Sequence, residues 1–461
     1  MNDRRQPASS AIVVGAGLAG IAVAIRLAEA GVRVTLLETR KKLGGRATSF
    51  ADVRSGEVLD NCQHVVLGCC TNYLDLLRRL GSLGSIEWHD EQYWIESGGR
   101  TSVIRPCLLP APLHFAVATA RAAFLSRADV LALIRIGPAL LRADRARHAG
   151  DTFGEFLRRH GQTETVIRRF WSPIVVSACN LDVERVSASA ALHVFQEGFL
   201  GSPVAARIGV PSVPLAALYE QVEPMLGRRG GRVLLGAAAE RIDERGVTTT
   251  DGRRFDADGS TRIICAVPVE RVNRVIAPEI QARDPRFPPL SGFTHSPILG
   301  VHLRFDRPVL ATPHAVLVDR ATQWLFRKDE AGRYVHAVIS AADDWMELSE
   351  GDIAGRVTAD INACLVGSRG ARLTMARAVK EKLATFAPVP GVDVARPPPA
   401  HEASSILLAG DYTDTGWPAT MEGATRSGYA AAAAALGVER DEIVVRPACA
   451  GALARALGLR T

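Results

Sequence analysis

A chain of 461 residues is too long for one compact core, so length alone argues for two domains. With 47% hydrophobic and 23% charged residues and no low-complexity tract, the composition is that of a folded globular protein, not a disordered or fibrous one. The net charge of +6 comes from arginines spread over every segment, with no basic run interleaved with aromatics; this argues against a nucleic-acid partner and leaves an anionic membrane surface as the better counterpart.

In chain order, MNDRRQPASS is basic, but the apolar segment behind it is short and broken by glycine, so no signal peptide is expected. Ala11 to Val14 is a short apolar run ending in glycine, the pattern of a buried parallel strand. Gly15, Gly17 and Gly20 then give G-x-G-x-x-G, followed by a helical pattern through Ile21, Ala24, Ile25 and Ala28 that stops at Gly31. A second strand, Arg33 to Leu37, ends on Glu38, twenty-three positions after Gly15. Each part meets a separate need of a dinucleotide. Gly15 allows the tight turn, Gly17 lets a pyrophosphate approach the backbone, and Gly20 lets helix and strand pack closely. The helix N-terminus offers free N–H groups and a partial positive charge. Glu38 is placed to accept hydrogen bonds from ribose hydroxyls, which disfavours a 2′-phosphate and leaves NAD or FAD.

Leu59-Asp60-Asn61-Cys62-Gln63-His64 leads into a strand-like Val65 to Leu67, and Ser97 to Pro112 reads as a glycine- and proline-rich connection. Leu113 to Arg147 is apolar and helical, interrupted at Gly137-Pro138, with Arg127, Arg135, Arg142 and Arg145 on the opposite side; it is the candidate for peripheral membrane contact. Thr152-Phe-Gly-Glu155 is a capping box that opens another helix. Strands return at Arg232 to Leu235, in a Val247 to Phe255 hairpin with Asp-Gly at its turn, and at Thr261 to Val267. Pro297 to Ala341 is again strand-like, a helix runs from about Ile353 to Val366, and Ser405 to Leu408 is a strand entering Gly410-Asp411. The last helix spans Met421 to Leu436 and is closed by Gly437. The nucleotide-binding unit is therefore expected from three pieces, residues 8–68, 205–275 and 396–440. Residues 69–204 and 276–395 form a substrate-binding unit, and residues 441–461 a C-terminal extension.

Eight cysteines with no C-x-x-C pair make neither a disulfide framework nor a metal site, so no metal and a reducing compartment are expected. No stretch reaches the ~18 apolar residues of a membrane span. A cytoplasmic protein follows, at most peripheral on the inner face of a membrane.

Six residues past Glu38, Gly44-Gly45-Arg46-Ala47 resembles the second glycine motif of the flavin amine oxidase and phytoene desaturase superfamily. The resemblance selects FAD and implies that Gly44 and Gly45 lie near its pyrophosphate while Arg46 holds it by charge. It further implies that Ala239, in VLLGAAAERI, meets the adenine through its backbone. Gly410 and Asp411 would meet the pyrophosphate and ribityl region, and the helix starting at Met421 would point its positive end at the pyrimidine edge of the flavin. The fold implied is α/β: a Rossmann-like FAD-binding domain of the amine oxidase/GDI-like type with an inserted α+β substrate domain. No cysteine stands between Cys364 and Cys449, so the FAD is expected to be non-covalent.

More narrowly, LDNCQHVVLG, FWSPIVVSACN, QWLFRKDEAGRY, VKEKLATFAPVPG and GDYTDTGWPATMEGATRSG resemble the hydroxysqualene dehydroxylases, with Cys62 in place of a glycine, Tyr412 in place of a tryptophan and Trp417 in place of a smaller apolar residue. That resemblance implies reductive removal of the allylic hydroxyl of a triterpene, in squalene and hopanoid synthesis, with an electron donor the sequence does not name. Asp60 and His64 fall where the superfamily chain passes the isoalloxazine. His64 is the first candidate to protonate the leaving hydroxyl, with a purely local hydrogen-bonding role as the alternative. The same fold and tunnel would serve an isoprenoid desaturase. An amine oxidase is disfavoured by 6% aromatic content, and an isoprenoid-binding escort without redox chemistry by the complete FAD motifs. No G-x-S-x-G hydrolase signature is present.

Overall fold

The computed structural model describes residues 8–459, so most of the basic N-terminal run and the last two residues lie outside it. The apolar run Ser10–Val14 forms the centre of a five-stranded parallel sheet. Its order is Arg232–Leu235, Arg33–Glu38, Ser10–Val14, Thr261–Cys265 and Leu407–Leu408. Successive residues of the central strand feed two cores, as the two-residue period of a strand requires. Ala11 and Val13 pack against the helices Leu18–Glu29 and Met421–Leu436. Ile12 and Val14 pack against Val247, Val269, Val272 and Phe287 on the other face. Burial on both faces explains the unbroken apolar run. The chain reverses direction across the sheet at Ser10–Val14, which opens a crevice beyond the carboxyl ends of the central strands.

A second sheet is mixed, in the order Leu373–Phe386, His295–Phe305, Tyr334–Ser340, Trp324–Arg327, His314–Leu317, Gln92–Ile95 and Thr101–Ile104. Its pairings are antiparallel except that of His314–Leu317 with Gln92–Ile95. Leu299, Val301 and Leu303 face the helix Glu350–Cys364. The alternating residues Ile298, Gly300 and His302 face the loop around Asn61 and Cys62. The α/β class with a parallel nucleotide sheet and a second α+β layer is thus the observed one.

Two local expectations fail. Ser97 to Pro112 is not merely a connection, because Thr101–Ile104 pairs with Gln92–Ile95 as an edge strand with alternating exposure. The helix Arg127–Arg142 runs through Gly137 and Pro138, and the break lies earlier, at Arg121 to Ser126, where Ser126 and Asp129 make a capping box. Pro138 is tolerated because it falls on the exposed side of the helix, where water can serve the carbonyl it frees. The C-terminal segment folds back, with Val445 N donating to Asn72 Oδ1 at 2.8 Å and Ala454 and Leu459 packed on Ala111 and Leu141. No helix among the described residues is long and apolar enough to cross a membrane.

Candidate functional site

At the carboxyl end of the central strand, Gly15 N donates to Leu37 O at 2.7 Å and the chain turns into the helix that starts at Leu18. A Cβ on Gly20 would lie 1.8 Å from Gly15 O, so close packing of turn and helix forces glycine there. At Gly17 the reason differs: a Cβ would meet nothing nearer than Gly45 Cα at 3.9 Å. The protein leaves space in front of a helix N-terminus at this position, and a side chain would fill it.

Glu38 is buried. Its Oε2 accepts from Ala16 N and its Oε1 from Arg40 N, both at 2.7 Å, so the carboxylate anchors the glycine turn. Ala237 N donates to Glu38 O at 2.8 Å, which brings Ala239, the first residue of the strand Ala239–Asp243, beside the same strand end. Gly44 N donates to Ala16 O at 2.9 Å and docks the second glycine pair on the first turn. Arg46 and Asp411, expected to contact the cofactor separately, are partners: two hydrogen bonds of 2.8 Å join them, and Arg46 also donates to Ala384 O at 2.9 Å. Gly410 is pinned through its N–H to Ser427 Oγ at 2.8 Å. Thr420 caps the helix Met421–Leu436 by accepting from Gly423 N, and leaves the first N–H groups of that helix without intrahelical partners.

Gly44, Arg46, Asp411 and Met421 open onto a cavity of about 350 Å³. Its wall is largely apolar, with Val65, Leu67, Ile174, Ile298, Phe326 and Val338, and its polar groups include Gln63, His64, Glu197 and Glu381. His64 is held by Nδ1, 3.1 Å from Cys62 O. A carbonyl only accepts, so the proton sits on Nδ1 and the neutral ring leaves Nε2 bare, without a protein partner among the described residues. Burial lowers the pKa of His64 below the ordinary histidine value, opposed by the Cys62 carbonyl and by the charges of Asp60 and Glu381. At neutral pH the side chain is therefore an acceptor, not the imidazolium the sequence suggested. Cys62 beside it is a buried thiol, its pKa pushed up to about 12 by burial, and so is inert.

Asp60, the other residue expected beside the flavin, serves the framework instead. It does not line the cavity. Its Oδ1 accepts from Ser49 Oγ at 2.8 Å and Leu215 N at 3.0 Å, and Lys328 Nζ lies 3.3 Å from Oδ2. Three residues separate Asp60 from His64, and only the turn between them sends one side chain inward and the other to the cavity.

Sequence reasoning missed several residues. Asn61 Nδ2 donates to Arg46 O and, at 3.2 Å, to Glu381 Oε1, tying the glycine motif to the strand Leu373–Phe386. His193 lines the cavity with Nδ1 2.6 Å from Arg145 Nη1. Since arginine only donates, this ring carries its proton on Nε2, the opposite tautomer to His64. Burial, with Arg145, Arg426 and Arg396 nearby, holds its pKa well below the usual value. The signal for Glu381 was its place in the run VKEKLATFAPVPG; for His193 there was none.

A family model described as flavin containing amine oxidoreductase matches residues 18–436. Among relatives, the 15-cis-phytoene desaturase of Synechococcus elongatus is 27% identical over 94% of this chain and 96% of its own. The hydroxysqualene dehydroxylase of Rhodopseudomonas palustris is 27% identical over 91% of this chain and 96% of its own. An oxidoreductase from Methanosarcina mazei shares the fold, with a TM-score of 0.69 at 15% identity, covering 91% of this chain and 98% of that one. The residues present suit FAD: the open space at Gly17, two helix N-termini for negative charge, and a cavity at the second of them for a flat ring. The chain belongs to the flavin-containing amine oxidoreductase family and is an FAD-dependent oxidoreductase.

Proposed function

We propose that the protein reductively dehydroxylates hydroxysqualene to squalene. The observation that carries this reading is the group of polar side chains, His64, Gln63 and Glu381, on the wall of a largely apolar cavity that reaches Met421. A pure hydrocarbon gives such groups nothing to bind, whereas an allylic hydroxyl does. The relatives named hydroxysqualene dehydroxylase support the same substrate class. Bound FAD supplies the hydride exchange at the reacting carbon. The chain holds it without a covalent link, through the turn at Gly15 to Gly20, Glu38, the Gly44 to Arg46 turn, Ala239, and Gly410 to Met421. Residues 8–68, 205–275 and 396–440 form the unit that does so. The apolar wall keeps water from the reacting carbon. His64 accepts from the substrate hydroxyl through Nε2 when neutral, and delivers a proton to the leaving oxygen when charged. Because burial lowers its pKa, the charged form exists only below the ordinary histidine range, so this reaction should slow as pH rises through that lowered pKa.

A second reading is favoured by the tautomer of His64. A bare Nε2 is a base, which suits an isoprenoid desaturase such as the phytoene-type relatives, and the pH limb would then be reversed. The test is product analysis from pH 5 to 8 with reduced protein and hydroxysqualene under anaerobic conditions, and with oxidised protein and squalene or phytoene. Squalene should form from hydroxysqualene, faster at low pH, and His64→Ala should lower the rate by ~10²- to 10⁴-fold with FAD still bound. A new double bond in squalene or phytoene under oxidising conditions, with hydroxysqualene untouched, would replace the dehydroxylase with the desaturase.

A further inference from the structure

We infer that the surface built by residues 105–143 docks on a bilayer containing anionic lipid and delivers the apolar substrate to the cavity; the delivery rests on the functional reading above, the docking does not. Leu108, Leu109, Leu113, Val117, Leu131 and Ile134 are exposed on this surface, Leu108 completely and Ile134 to 66%. Leu131 and Ile134 stand three apart on the outer side of Arg127–Arg142, while Ala132, Ile136 and Leu140 on the inner side are buried. The helix is therefore anchored by one face and offers the other.

The charge around these side chains has one sign. Asp129 is the sole acid from residue 105 to 143, and it is buried in the capping box. Arg105 is paired with Glu91. Arg121, Arg127 and Arg135 are exposed and make no ion pair among the described residues. Apolar side chains ringed by unpaired arginines complement a headgroup layer that is negative outside and hydrocarbon within. With no helix among the described residues long and apolar enough to cross a membrane, the proposed contact is peripheral.

The surface packs against the cavity wall. Phe115, between Leu113 and Val117, lies 6.4 Å ring to ring from Phe199, which lines the cavity. Phe115 also shares a core cluster with Ile174 and Trp324, two further lining residues. Phe115 thus links the exposed Leu113 and Val117 to apolar residues of the cavity wall.

The experiment is flotation of the FAD-loaded protein on phosphatidylcholine vesicles with and without phosphatidylglycerol, at low and high salt. The wild type should float with the anionic vesicles at low salt and be released by salt. The triple variant Arg121→Gln, Arg127→Gln, Arg135→Gln should bind roughly a hundred-fold more weakly, about five-fold per arginine. The double variant Leu108→Ser, Leu109→Ser should bind the same anionic vesicles more weakly at low salt, with its arginines unchanged. All these positions are exposed, so unchanged FAD content and melting temperature will separate lost binding from lost fold. A wild type that stays with the soluble fraction on anionic vesicles at low salt would overturn the inference. So would variants that float like the wild type, or sedimentation showing a dimer that the leucine variants dissolve. No substrate enters this experiment, so its failure leaves the dehydroxylase reading standing, and failure of the product analysis leaves the docking surface standing.

Discussion

Two glycines of one motif can be told apart by what a methyl group would strike. At Gly20 it strikes Gly15 O at 1.8 Å, while at Gly17 it meets only Gly45 Cα at 3.9 Å. Gly20→Ala should therefore fail to fold or unfold at much lower denaturant. Gly17→Ala should keep its stability as apoprotein and lose FAD affinity, since the methyl occupies the space proposed for the pyrophosphate. Urea titration of the apoproteins and fluorescence titration with FAD check the pair, and equal FAD affinity in Gly17→Ala and wild type would remove the assignment of that space. The two cavity histidines teach the same lesson about partners. His64 bonds a carbonyl and His193 an arginine, so identical side chains present an acceptor and a donor.

At the scale of elements, the seven-stranded sheet carries three buried histidines, His302, His314 and His336. Burial pushes His302 and His314 down to about 4, and holds His336 well below the usual value. In the unfolded chain each titrates near 6.5. Between pH 6.5 and 4 the unfolded state thus binds more protons, so stability falls as pH falls through this window. By pH 5 the loss should be about 2 kcal/mol for each of His302 and His314. Urea midpoints at pH 7 and 5 measure it. His314 sits among the rings of His89, Tyr93, Trp324 and Phe326, so His314→Phe keeps a ring in place and should flatten the pH dependence. A variant as acid-sensitive as the wild type would place the lability elsewhere. The strand Leu373–Phe386 in this sheet was hard to see in the sequence, because lysine and glutamate interrupt its alternation and its exposure is intermediate along most of its length.

For the molecule as a whole, the parallel sheet draws its strands from three distant stretches, 10–38, 232–265 and 407–408. In the proposed site FAD touches all three, so it should bind the folded chain and not the unfolded one. Removing it should lower the melting temperature and adding it back should restore it. The gain is about 2.7 kcal/mol when free FAD is a hundred times its Kd. Acid precipitation of the loaded protein should leave the yellow colour in solution, as a non-covalent cofactor requires. Colour in the pellet, or a melting temperature indifferent to FAD, would contradict this.

The sequence by itself determined what is local. Positive-φ turns need glycine, buried parallel strands need continuous apolar runs, and capping residues mark helix starts, so the first βαβ unit, the closing helix from Met421 to Gly437, the FAD motifs and the α/β class were legible. The tertiary structure decided what depends on residues far apart in the chain. The Arg46–Asp411 pair spans 365 positions and the Arg145–His193 pair 48, and no spacing rule reaches across either. The separation of Asp60 from His64 depended on Ser49, Leu215 and Lys328 arriving around the former and leaving the latter to the cavity. Composition and periodicity fix which side chains are buried or exposed along an element; which partner a polar side chain meets, and hence its tautomer, charge and role, is set only when the elements close on one another.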